Sequence, residues 1–317
     1  MRKQGHSGNR LFPGRKESEN NDLGLGTKIG AAGERLISKD GSFNVVRTGR
    51  RQWLIYEPLI EMSWARFLLI VVLVYTAINS IFALFLALLG PGALTGMNDA
   101  DFLQRLLKGF FFSMQTFTTV GYGSISPVST AANFIAVADV MVGLISVALV
   151  TGLIFARFSR PKAHIQFSKN ALIAPYNGGQ SFQFRIVNER NNKIINLEAQ
   201  VTFSWTENRS GETTRHYAPL KLERDKVTLF PLNWTLVHAI DEDSPLHNLT
   251  QERLQHMNAE FLVIIQGFDE TFSQMVHTSS SYLDEEVLWH YRFDKMYYSE
   301  DGTVRLELDK LNDVIKA

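Results

Sequence analysis

The chain has 317 residues, room for one to three domains, and its 32 Lys and Arg balance its 32 Asp and Glu. No global field therefore steers it toward nucleic acid. It contains no cysteine, which excludes disulfides, thiol nucleophiles and cysteine-based zinc sites.

Residues 1–46 are polar and rich in Gly, Ser, Asn and charge, with little apolar periodicity, and read as a disordered cytoplasmic tail. GLGTKIG, residues 24–30, loosely resembles a phosphate loop, but no strand precedes it and no apolar helix follows, so it reads as flexible chain. Residues 47–63 form the next unit. WLIYEPLIEMSW, residues 53–64, joins apolar residues and interface-favouring Trp with few charges. It predicts a helix lying on the inner membrane surface, with Pro58 suited to a helix start or a kink.

A pore domain is expected over residues 64–161. Residues 67–89, FLLIVVLVYTAINSIFALFLALL, are uncharged. As a helix this run is about 34 Å long, against a hydrocarbon core of about 30 Å. Gly90-Pro91-Gly92 ends it. A second run, residues 131–158, is broken only by Asn133, Asp139, two hydroxyls and Arg157. Twelve Lys and Arg precede Phe67, Arg157, Arg160 and Lys162 close the second run, and only Arg105 and Lys108 lie between the runs. By the positive-inside rule both termini are cytoplasmic in a multi-pass protein.

Asn98, Asp99 and Asp101 suit a helix start, and LLKGFFFSMQTFT, residues 106–118, is apolar enough to enter a membrane but too short to cross it. The chain then reads TTVGYG, residues 118–123. Non-helical backbone at that depth is tolerated where it is buried in protein or lines water. Rings of carbonyls on such a segment can replace the water shell of a potassium ion. Pointing successive carbonyls at one axis demands a backbone of alternating hand, hence Gly121 and Gly123. Thr119, Val120, Gly121 and Tyr122 are the expected carbonyl donors to K+, with Gly123 at the exit turn. One chain supplies one strand, so a closed pore requires a cyclic homotetramer.

After Pro161 the period changes. AHIQFS, FQFRIV, LEAQVTFSW, LNWTLVH and EFLVIIQGF are short β-rich runs separated by turn residues, so residues 162–317 read as an all-β sandwich. Thr250 is placed to cap a short helix over residues 251–257, and Asp301-Gly302 marks a hairpin. His238, His247, His256, His277 and His290 lack metal-ligand spacing and read as structural. The acceptor patterns at Asn208, Asn233 and Asn248 fall on the cytoplasmic side and read as coincidence. No nucleophile elbow or P-loop occurs, so an enzyme is not expected.

TFTTVGYG, residues 116–123, matches the potassium-channel signature. With FFFSMQTFTTVGYG, GLIFARFSRPKAHIQFS, FRIVNERNNKI, LNWTLVHAIDEDSPL and SSSYLDEEVLW, the chain resembles the inward rectifier potassium channels, most of all their bacterial branch, over residues 53–306. The resemblance implies two transmembrane helices, a pore helix and filter, an interfacial slide helix, and a cytoplasmic immunoglobulin-like β-sandwich. It implies gating constrictions at Val147 and Phe155, and a second one at residues 271–275. Gln115 and Ile125 stand where animal members often carry a Glu–Arg pair behind the filter. Val147 stands where strong rectifiers carry an acid, which implies weak rectification and weak block by Mg2+ or polyamines.

Further expectations attach to single residues. Gly143, Val147, Thr151, Ile154 and Phe158 recur at helical spacing, with Gly143 a candidate hinge. Asp139 is expected behind the filter, touching the pore helix near Gln115 or a hydroxyl. Trp64, Arg66, Arg157, Arg160 and Lys162 are candidate contacts for anionic phospholipid, as the family's matching positions imply. No cofactor is expected beyond K+ as permeant ion. A bacterial inner-membrane location follows. A non-conducting membrane sensor or a less selective cation channel of the same layout is the alternative.

Overall fold

The computed structural model describes residues 24–26, 34–46, 48–49, 56–96, 101–159, 163–209 and 212–317. The chain divides into two compact units. One comprises residues 49–160; the other joins residues 1–48 to residues 161–317.

The first unit is helical: α1 (Tyr56–Glu61), α2 (Trp64–Leu88), α3 (Phe102–Phe117) and α4 (Thr130–Phe158). By length and composition α2 and α4 can each cross a membrane. Ser63 is extended, at φ −60° and ψ 151°, and separates α1 from α2. The expected interfacial helix over residues 53–64 therefore ends at Glu61. Its residues 53–55 lie outside the described residues. Pro58 sits in the first turn of α1, where its missing N–H costs no helical bond. Asp101 caps α3 by accepting from the Gln104 amide at 2.7 Å, and Ser129 caps α4 by accepting from the Ala132 amide at 3.2 Å. At 16 residues α3 is about 24 Å long, short of a full crossing.

The second unit is a β-sandwich. Its strands are β1 (Ile165–Phe167), β2 (Ala171–Tyr176), β3 (Gly179–Asn188), β4 (Ile194–Arg209), β5 (Glu212–Leu220), β6 (Lys226–Leu229), β7 (Asn233–Ile240), β8 (Glu260–Asp269), β9 (Gln274–Leu283), β10 (Val287–Trp289), β11 (Tyr291–Phe293), β12 (Tyr297–Glu300), β13 (Thr303–Leu306) and β14 (Val314–Lys316). In one sheet β3 pairs with β7 on one edge, with β1 and β2 sharing the other, and β10 adds parallel to β2. In the second sheet β4 pairs with β8 on one edge and with β5 and β6 on the other, and β9 follows β8. The inner faces meet in one core. Phe182 of β3 stacks on Phe261 of β8 with ring centroids 4.1 Å apart. All five β-rich runs named from the sequence fall in strands. Asp301 and Gly302 both have positive φ, 50° and 74°, between the paired Glu300 and Thr303, as a two-residue hairpin turn requires. The short helix α5 (Gln251–His256) is capped by Thr250 Oγ1 on the Arg253 amide at 3.3 Å.

Residues 34–46 depart from the expected disorder. They form a small hairpin strap on the β domain, closed by a bridge between Ile37 and Phe43 and by Ser38 N–H to Ser42 O at 2.8 Å. Leu36 and Ile37 are buried against Leu262 of β8. Two apolar side chains suffice because the β domain supplies the rest of the contact surface. Of GLGTKIG, residues 24–26 are described, and Tyr217 Oη donates to Gly26 O at 3.1 Å. The remainder of that motif lies outside the described residues. His238 is buried between Lys221 O at 2.7 Å and Ser244 Oγ at 2.8 Å, a satisfied structural histidine. Burial lowers its pKa from the ordinary histidine value.

Candidate pore-lining site

The site begins where α3 ends. Thr118 leaves the helix at φ −86° and ψ 0°, and its hydroxyl turns back to Met114 O at 2.7 Å. Gln115 O accepts the amides of Val120 at 2.8 Å and Gly121 at 3.3 Å, so the helix end folds the next segment onto itself. Along that segment the sign of φ alternates. Thr119 lies at 60°, Gly121 at 53° and Gly123 at 81°, while Val120 and Tyr122 are not left-handed. The two glycines occupy the hand anticipated for them. Thr119, a β-branched residue, also occupies it, which the sequence did not signal and which carries strain. All five residues from Thr119 to Gly123 are exposed within the single chain.

Behind this segment the helices approach closely. A Cβ on Gly143 of α4 would lie 2.3 Å from Phe117 O, and one on Gly109 of α3 would lie 3.0 Å from Ala83 O of α2. Gly143, expected as a hinge, thus has a packing reason to be glycine, and α4 runs unbroken through it. Asn79, Ser113 and Asp139, one from each long helix, are fully buried. Ser113 Oγ donates to Asn79 Oδ1 at 3.0 Å, and Asn79 Nδ2 donates to Tyr75 O at 2.8 Å. Asp139 lies beside the Ser113 hydroxyl. That hydroxyl's proton is already given to Asn79, so neither Asp139 carboxyl oxygen has a hydrogen-bond partner. Asp139 thus stands beside a pore-helix hydroxyl without accepting a hydrogen bond from it. Asn79 and Ser113 were missed, since isolated polar residues in apolar runs give no sign of each other.

The mouth beyond Gly123 is clamped by a segment the sequence reading passed over. Thr95 N–H donates to Ser126 O at 2.9 Å, Val128 N–H donates to Ala93 O at 2.9 Å, and Leu94 bridges Pro127. Ile125 packs on the cluster formed by Leu86, Ala93, Leu94, Phe112 and Ala132.

Along α4, Val147, Thr151 and Phe155 recur every fourth residue and are exposed, while Ile154 is half-buried. Phe158, expected on the same face, packs on Trp64 with ring centroids 4.9 Å apart. Arg157 is bonded within the chain. Its Nη1 donates to Leu59 O at 2.6 Å and Ile60 O at 3.0 Å, and its Nη2 donates to Met62 O at 2.7 Å. Its guanidinium also lies over the rings of Trp64 and Phe67 at 4.5 and 4.7 Å. It thus satisfies carbonyls at and just beyond the end of α1 that have no helical partner. Arg66 is exposed; Arg160 and Lys162 lie outside the described residues. The loop over residues 271–275 turns at Ser273, φ 51°, and is held by buried Asp269, which accepts the Thr271 amide at 2.8 Å; Met275 is exposed. Among the described residues no His, Asp and Glu cluster could hold a metal.

Residues 165–317 match the model of the inward rectifier potassium channel C-terminal domain, and residues 67–160 match the ion channel model. The chain is 32% identical to the inward rectifier potassium channel Kirbac3.1 of Paramagnetospirillum magnetotacticum, over 91% of this chain and 98% of that protein. It is 29% identical to the inward rectifier potassium channel irk-1 of Caenorhabditis elegans, over 87% of this chain and 56% of that one. It is 28% identical to the ATP-sensitive inward rectifier potassium channel 11 of Cavia porcellus, over 89% and 78%. With the two membrane-length helices, the half-length helix between them and the β-sandwich, these matches establish that the chain belongs to the inward rectifier potassium channel family.

Proposed function

We propose that four copies of the chain surround one axis and conduct K+ through the carbonyls of Thr119, Val120, Gly121 and Tyr122. The observation that carries this reading is the alternating hand at Thr119, Gly121 and Gly123, which turns successive carbonyls the same way. The end of α3 adds the partly negative pole of a helix behind the segment, which favours a cation there. The pore narrows at Val147 and Phe155, where four apolar side chains exclude water. Because Val147 carries no charge, Mg2+ and polyamines block weakly. No cofactor is required beyond the permeant ion. Both termini face the cytoplasm of a bacterial inner membrane. Anionic phospholipid acts through Arg66, Arg160 and Lys162, beside the interfacial ring of Trp64, each cation contributing about 1 kcal/mol at the surface; Arg157 acts through α1 instead.

The test is K+ flux from liposomes containing the purified protein, with Gly121→Ala as the probe. No atom lies within 4 Å of a Cβ at Gly121 within the chain, so the effect is backbone strain at φ 53°. That strain is about 1–2 kcal/mol per chain, multiplied over four copies. Flux is expected to collapse while the tetramer survives. Normal K+ over Na+ preference in the variant would overturn the filter assignment.

A further inference from the structure

The segment from Thr119 to Gly123 is held from both sides. Before it, Gln115 O accepts the amides of Val120 and Gly121. Beyond it, residues 93–95 and 126–128 lie antiparallel about the bridge between Leu94 and Pro127. The tightest pairing is between Thr95 and Ser126. The Thr95 amide donates to Ser126 O at 2.9 Å, and the Ser126 amide donates to Thr95 Oγ1 at 2.9 Å. The threonine hydroxyl thus takes the amide that its own carbonyl would take in a regular antiparallel pair. Among the described residues, no backbone hydrogen bond within the chain reaches residues 122–125. Ser126 is therefore the first bonded backbone after Gly121.

The strip that carries Thr95 is itself fixed. Ala93 and Leu94 are each 1% exposed and pack with Leu86 of α2, Phe112 of α3 and Ala132 of α4. On the other side of Thr95, Lys108 Nζ of α3 donates to Gly96 O, where the chain turns at φ 70°. The Thr95 side chain is exposed within the single chain, so the apolar core does not demand it.

We propose that Thr95 is a positioning residue for the filter. Ser126 stands three residues after Gly123, so holding Ser126 holds the exit turn, and with it the outer carbonyls of Gly121 and Tyr122. Thr95 reaches the ion only through Ser126. Carbonyl rings that replace the water shell of K+ must keep their spacing, and a freer exit lets the outer rings close on the smaller Na+. Lys108 serves the same end by holding Gly96 beside Thr95. The inference rests on the channel reading above and names residues outside the filter that set its preference.

The experiment uses the full chain. K+ over Na+ preference is read from the reversal potential in liposomes. K+ binding is read in detergent, as the K+ concentration that gives half of the thermal stabilisation K+ confers over Na+. Thr95→Val keeps the shape and removes the acceptor of the Ser126 amide. Its preference is expected to fall at least about fivefold, roughly the worth of one hydrogen bond, with a matching rise in half-saturating K+. Its unfolding temperature in Na+ alone should not change. Thr95→Ser keeps the hydroxyl and should behave as wild type. Lys108→Met removes the bond to Gly96 O and should lower preference in the same direction, which tests the strip independently where Thr95→Val fails to fold. Wild-type preference and K+ binding in whichever of Thr95→Val and Lys108→Met fold would overturn the proposal while leaving the channel reading intact. A lower unfolding temperature in Na+ with preference unchanged would make Thr95 merely structural and overturn it too. An equal fall in Thr95→Ser would overturn the role of the hydroxyl. A wild type that carries no K+ would overturn the channel reading, and the positioning role with it.

Discussion

Gly143→Ala separates packing from hinging at the centre of α4. The added Cβ would lie 2.3 Å from Phe117 O and 3.0 Å from both Phe117 C and Cα, all backbone atoms at the end of α3. Ordinary carbon–oxygen contact is about 3.3 Å, so one helix must retreat by about 1 Å, and overpacking of that kind costs about 1–3 kcal/mol. Against this, Ala is favoured over Gly in a helix interior by about 1 kcal/mol. The control is Gly152→Ala on the same helix, where no atom lies within 4 Å inside the chain, so only the favourable term operates. Thermal unfolding of the detergent-solubilised protein should show Gly143→Ala less stable and Gly152→Ala equal or more stable. Filter function should suffer in the first alone, because Phe117 lies two residues before Thr119. Equal stability of the two variants, with only gating altered at Gly143, would refute the packing argument and restore the hinge.

Three other outcomes follow from the same geometry. Asp139→Asn keeps the side-chain volume and supplies an NH2 donor to the pocket beside Ser113, so unfolding temperature should hold or rise; Asp139→Ala should cost about 1–3 kcal/mol by leaving a cavity. Arg157→Lys cannot reach three carbonyls with one ammonium, and should speed amide exchange over residues 56–62 by an amount matching about 1–3 kcal/mol. Burial lowers the Lys39 pKa to about 8 from 10.5, with Glu286, Arg35, the Tyr282 ring and Lys169 O around it. A depressed lysine binds its site better without its proton, so docking should strengthen as pH rises from about 8 toward 10.5 and stay level below. A spin label at residue 44 should become less mobile over that window, and Lys39→Met should abolish the change.

Local signals carried most of the fold. The two spans were legible because length and the lack of charge suffice in a membrane, and Asp301-Gly302 because the turn needs two residues that tolerate positive φ. The filter segment was legible because its glycines answer a backbone demand that other residues meet poorly. The same logic explains why Thr119 escaped notice: its left-handed backbone, φ 60°, is imposed by the amides folding onto Gln115 O. The limits of the interfacial helix were misjudged because Ser63 is no breaker by composition, and only its extended ψ ends the segment.

Several of the contacts that stayed hidden share one physical feature, a side chain whose partner is a distant main-chain group. Arg157 bonds carbonyls 95–98 residues earlier, and Ser281 bonds a carbonyl 244 residues earlier. A carbonyl has no letter in the sequence, so neither periodicity nor charge pairing reveals such a bond. Basic residues after a span read by default as topology signals or lipid contacts. In the structure these groups tie α1 to α4 and the strap to the β domain. In the strap such backbone-directed bonds add to side-chain contacts made by Leu36, Ile37, Arg35 and Lys39. The carbonyl-directed part of this contact leaves no pattern in residues 34–46, which is why they read as disordered although they form a bonded hairpin.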